Sequence, residues 1–231
     1  MAYLGGVSPR DLAEYLLPDG RPRPRLRGWL HLGAVPVAVA LGVLLVILAP
    51  NGRATLAAAI YALTVVDLFA TSGIYHRGRW EPAVRAWLQR VDHAMIFVLI
   101  AGTYTPICLL AIGGTMGEAL LIVVWSAAAA GAAVNLLPWR LPRWVGVAIY
   151  LLMGWAAVVA VPGLLAGIGI VPCLLVLLGG LLYTAGALIY ALKRPDPLPT
   201  TFGYHEIFHA CTIVAAAAHY AVIAFWVLPK A

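Results

Sequence analysis

Five polar residues of this chain could do chemistry together. His205 and His209 are four residues apart, as are Ser72 and His76, and Asp92 opens a largely apolar stretch. On a helix, residues four apart share a face, with about 5–6 Å between their Cβ atoms. Two imidazoles so placed can reach one ion at about 2.0–2.1 Å each. Adding His76 makes three nitrogen ligands with a fourth position open, the form of a catalytic zinc site, and leaves Asp92 to act on water. Three histidines alone accept several divalent metals. An isolated HxxxH pair in a spanning helix equally serves as polar glue between helices. The metal reading therefore depends on whether the surrounding elements bring all five residues to one place.

Those elements follow from composition. Of 231 residues, 63% are hydrophobic and only 10% charged, and the mean hydropathy is +0.94. A soluble domain carries about 25% charged residues, so an ordinary soluble enzyme, a disordered chain and a disulfide scaffold are excluded. Apolar runs long enough to span a bilayer, about 20 residues each, fall at 29–49, 54–75, 91–113, 118–137, 144–162, 167–192 and 204–228. The expected architecture is an all-α, seven-helix transmembrane bundle over 29–228, preceded by an N-terminal segment, 1–28. That segment reads as a short helix capped by Ser8, with Asp11 and Glu14 in its first turns, and then an Arg/Pro stretch. The first span exceeds the 7–15 residues of a signal core and is read as uncleaved.

Seven spans put the termini on opposite sides. With the N-terminus cytoplasmic, 13 of the 15 Lys and Arg residues lie on the inner side, leaving Arg53 and Lys230 outside. The positive-inside rule selects that orientation. The net charge of +6 is thus a topology signal, and no nucleic-acid partner is expected. Ends of even helices and starts of odd ones share a side, so Ser72, His76, Asp92, His205 and His209 all emerge near the cytoplasmic face.

The remaining polar residues have plainer readings. His219 lies ten residues beyond His209, some 15 Å further along the helix, and is expected to pack within the bundle or make a hydrogen bond there. His93 and His31 read as interfacial or bundle-polar groups. Glu206 is expected to face the aqueous boundary, and Asp67, in mid-helix, to make a buried hydrogen bond. Cys108, Cys173 and Cys211 are far apart and read as packing residues.

The segments SGIYH at 72–76, DHAMIFVLIAGTYTP at 92–106, YLLMGW at 150–155, GGLLYTAGALIYA at 179–191 and FGYHEIFH at 202–209 resemble hemolysin III. This is the bacterial branch of the progestin-and-adipoQ-receptor family, which is akin to the alkaline ceramidases. The resemblance runs from Arg27 onward. It implies seven helices with an inward N-terminus, placement in the bacterial inner (plasma) membrane, and zinc held by His76, His205 and His209. It also implies that Asp92 contacts the zinc-bound water and that Ser72 supports it or the substrate. Asp67 departs from the apolar residue usual at its place.

The leading expectation is a zinc-dependent hydrolase of a membrane-lipid amide or ester, with Asp92 and Ser72 as its catalytic residues. A lytic pore is the alternative in another class; against it, helices such as LLIVVWSAAAAGAAV at 120–134 lack the polar stripe a wide pore needs. A third reading is a non-catalytic, zinc-stabilised lipid sensor. No protein partner is inferable.

Overall fold

A computed structural model describes residues 23–138 and 142–231. The expected N-terminal helix around Ser8, Asp11 and Glu14 lies outside the described residues, as does Arg140. Among the described residues the chain is helical, with one isolated bridge between Leu198 and Phe202. Seven helices are long and apolar enough to cross a membrane: α1 (Trp29–Ile47), α2 (Gly52–Arg77), α3 (Pro82–Ile112), α4 (Gly114–Leu136), α5 (Arg143–Ile168), α6 (Ile170–Leu192) and α7 (Tyr204–Lys230). Their outer surface is apolar, with Ile47 72% and Leu152 75% exposed, whereas Thr64, Ser72, Thr105 and Thr212 are buried. This inversion of the soluble pattern is what a hydrocarbon solvent selects.

The helix limits have local causes. Asn51 caps α2, its side chain accepting from Ala54 N–H at 3.0 Å, so α2 starts two residues before the apolar run. α3 starts at Pro82 rather than near 91, because Pro at the first position is ready-made for a helix and the mixed Pro82–Arg90 turns precede the apolar stretch. After Pro106, which cannot donate to the ladder, α3 widens into a π-turn at Ile107–Ile112. α5 tightens to 3-10 geometry at Ala156–Ala160, just before Pro162. There the Tyr104 hydroxyl repairs the ladder: it donates to Gly154 O and accepts from Ala157 N–H, both at 2.7 Å. Gly169, with φ +87°, separates α5 from α6. Hence α5 continues to Ile168 and α6 begins at Ile170, later than the run from 167 indicates.

The helices pack in sequence, α1 against α2, α2 against α3, α3 against α4 and α6 against α7, and α7 returns to α1 to close the bundle. One core lies between α3, α4 and α5 around Phe97, Tyr104, Val124 and Met153. A second, around Leu45, Tyr61 and Ile223, joins α1, α2 and α7. Closing α1 onto α7 is what brings residues near 30, 76 and 205 together.

Candidate metal centre

At one end of the bundle, the last turn of α2 meets the first turns of α7. His76, His205 and His209 converge there with their ligating atoms within 4.8 Å of one another. His76 Nε2 and His205 Nε2 are 3.1 Å apart, and the rings of His205 and His209 lie 4.6 Å apart, centroid to centroid. All three are at least nine-tenths buried, and His209 Nδ1 has no hydrogen-bond partner. Two imidazole nitrogens at this separation either share one proton or direct their lone pairs at a common cation. A buried, all-imidazole cluster with an orphaned nitrogen suits a borderline divalent ion such as zinc.

The other two expected residues join them around one cavity. Ser72, Asp92, His205 and His209 all line a space of about 380 Å³ running down the bundle. The Ser72 hydroxyl lies beside the Asp92 carboxyl, close enough to donate to it. Asp92 is half-buried and lines this space. The remaining walls are mostly apolar, with His31, His93, Tyr183 and His219 among the polar exceptions, and Val158, Val161, Ile170 and Leu174 of the lining are exposed. The cavity therefore opens sideways between α5 and α6, where lipid would lie.

Two further residues belong to the site, one of them against expectation. Glu206, between the two α7 histidines, is completely buried and not at an aqueous boundary. Its Oε1 accepts from Arg27 Nε at 2.5 Å and its Oε2 from Gly203 N–H at 2.8 Å. Acidic residues at the third helical position reach back to the cap; that bond is legible in the sequence, whereas the pairing with Arg27, 179 residues away, is not. Arg27 is delivered by backbone bonds from Arg25 N–H to Thr200 O (3.0 Å) and from Leu26 N–H to Thr201 O (3.1 Å). Of the two readings of His31, interfacial or bundle-polar, the second holds: it is buried and stacks on His209 with centroids 3.8 Å apart and rings tilted by 11°. No sequence spacing links positions 31 and 209.

Gly28 makes the junction possible. Its φ of +80° is a left-handed conformation, and a Cβ there would lie 2.5 Å from the Cβ of His76. Beyond it sits a basic collar; burial, then the guanidinium groups of Arg85, Arg27 and Arg77, hold the Arg23 side chain down to about 10. His219 and His93 make the expected bundle bonds, to Val176 O at 3.1 Å and to the Tyr190 hydroxyl at 3.3 Å. Asp67 is the other correction: it makes no buried hydrogen bond but lies exposed on the outer face of α2.

Comparison with known proteins identifies the family. The family model described as Haemolysin-III related matches residues 20–220. The "Hemolysin-3 homolog" of Bacillus subtilis (strain 168) is 32% identical over 167 residues, covering 72% of this chain and 75% of the relative. "Hemolysin-3" of Bacillus cereus is 30% identical over 202 residues, covering 87% of this chain and 89% of the relative. With its seven apolar helices this is a multi-pass membrane protein, placed in bacteria in the cell membrane. The chain belongs to the haemolysin-III related family.

Proposed function

We propose that the protein is an intramembrane zinc hydrolase acting on an amide or ester bond of a membrane lipid, its N-terminus cytoplasmic. The observation that carries this reading is the meeting of three imidazoles with the Ser72–Asp92 pair at the head of one apolar cavity. His76, His205 and His209 would hold the ion. Zinc held there supplies a Lewis acid for a carbonyl oxygen and acidifies water at neutral pH.

The chain's own groups do the rest. Asp92 takes a proton from the attacking water as its oxygen bonds to the scissile carbonyl carbon. It then passes that proton to the departing amine or alkoxide, releasing a fatty acid. Ser72 donates to Asp92 and keeps one carboxyl oxygen turned toward the cavity. The apolar walls take the acyl chain, and the gap between α5 and α6 admits it from the bilayer. The basic residues collected at this end support its placement at the cytoplasmic face.

The test is elemental analysis of purified protein together with fatty-acid release from a broad lipid panel. About one zinc per chain is expected in wild type and in Asp92→Ala. It is lost in His76→Ala and His209→Ala, and turnover is absent from all three variants. A folded wild type without stoichiometric metal would sink the hydrolase. Metal without turnover on any lipid, beside an active ceramidase control, would favour a lipid-sensing role. Single-channel conductance that survives loss of the histidines would favour a lytic pore.

A further inference from the structure

Tyr183 on α6 and His219 on α7 line the same cavity as the candidate metal centre, but deeper in the bundle. Ten residues along α7 set His219 some 15 Å beyond His209. His219 is 8% exposed. Its Nε2 lies 3.1 Å from Val176 O, and its Nδ1 has no hydrogen-bond partner. A carbonyl oxygen only accepts, so Nε2 carries the proton and Nδ1 is a bare acceptor. The Tyr183 hydroxyl is also buried without a partner, and the two rings lie 5.7 Å apart, centroid to centroid. Gly179 lets α6 come this close, because a Cβ there would collide with His219 Nε2.

Other polar side chains lining the cavity are satisfied. Thr103 donates to Leu99 O at 2.8 Å, Thr184 to Gly180 O at 2.7 Å and Thr212 to Phe208 O at 3.0 Å. Holding two helices together would need only the Nε2 bond of His219, and packing would need no hydroxyl on Tyr183. Buried polar atoms are costly unless they are bonded. A bare acceptor beside a hydroxyl, in a mostly apolar cavity, therefore points to a ligand group that satisfies both.

We infer that Tyr183 and His219 form a second subsite, which recognises a hydroxyl carried on the acyl chain of the lipid. The inference rests on the proposed placement of that chain in the cavity, with its carboxyl end at the metal centre. A hydroxyl donates to His219 Nδ1 and accepts from the Tyr183 hydroxyl. A carbonyl, which only accepts, leaves His219 unpaired, and a methylene leaves both groups unpaired. The 15 Å between His209 and His219 spans roughly twelve carbons of an extended chain. The substrate class is thus an amide or ester of a long-chain hydroxy acid, hydroxylated well along the chain rather than beside the carboxyl.

The test is equilibrium binding to the full chain in detergent. Octadecanoic acid and its analogue with a hydroxyl on the twelfth carbon each compete with radiolabelled octadecanoic acid. Wild type is expected to bind the hydroxylated acid at least about 5-fold more tightly. A His219 substitution would also break the bond to Val176, so Tyr183→Phe carries the test. That variant should lose the preference, still bind octadecanoic acid, and melt no lower than wild type, because the hydroxyl it lacks bonds nothing in the protein. Equal or weaker binding of the hydroxylated acid by wild type overturns the subsite, as does a preference that survives in Tyr183→Phe. A lowered melting temperature in Tyr183→Phe overturns it too, since the hydroxyl would then be holding the fold. Binding of neither acid overturns it together with the chain placement on which it rests. Zinc content and fatty-acid release judge the hydrolase separately, so loss of the preference with both intact sinks the subsite alone.

Discussion

The buried pair of Arg27 and Glu206 offers the sharpest test of how the site is held. Its side chains are 6% and 0% exposed, so little solvent screens it. Glu206→Ala removes the carboxylate, leaves the guanidinium uncompensated and deprives Gly203 N–H of its acceptor. Breaking a buried ion pair from one side costs about 3–5 kcal/mol, and the lost cap bond about 1 kcal/mol more. Arg27→Met leaves Glu206 its bond from Gly203, so its cost should fall at the lower end of that range. The double variant Arg27→Met/Glu206→Ala buries no unpaired charge and should be more stable than Glu206→Ala alone, despite carrying one more substitution. The assay is unfolding of the detergent-solubilised protein followed by circular dichroism, run as a double-mutant cycle with metal content measured on each member. Coupling of at least about 2 kcal/mol is expected between the two positions. The pair also ties the entry to α1 onto α7 between His205 and His209, so, on the proposed metal site, metal occupancy should follow the same order. Additive losses, or a double variant less stable than Glu206→Ala, would refute the claim that this pair closes the bundle over the site.

Three further outcomes follow from the geometry. Gly28→Ala puts a side chain at φ +80° and 2.5 Å from the Cβ of His76; the backbone alone costs about 1–2 kcal/mol, and metal content should drop as His76 is displaced, which full occupancy at wild-type stability would contradict. His31→Phe should keep the ring stacked on His209 and preserve zinc affinity, whereas His31→Ala should lower it by roughly 10-fold, as titration against a chelator would show; equal affinities would mean the stack orients nothing. Gly180 lines the cavity with no atom within 4 Å of where its Cβ would lie, so Gly180→Leu should slow hydrolysis of long-chain lipids severalfold with zinc retained, and an unchanged rate would place the acyl chain elsewhere.

Much of this protein is legible along the chain because the bilayer is an exacting solvent. Every backbone polar group in hydrocarbon must be satisfied within its own helix, so apolar run length alone marks the seven spans. The same apolar background isolates the few polar residues, and antiparallel traversal assigns each a depth. His76, Asp92, His205 and His209 could therefore be set at one membrane face before any packing was known. Depth, however, says nothing of direction around a helix axis or of which helices touch. That α7 returns to α1, stacking His31 on His209 and setting Arg27 against Glu206, depends on the closure of the bundle and on a left-handed Gly28. Asp67 shows the same division. Its position in mid-membrane is plain from counting residues, but the side of α2 that faces out is decided by how α1 and α3 pack against it. That packing turns an expected buried hydrogen bond into an exposed carboxyl among the apolar residues of the outer face of α2.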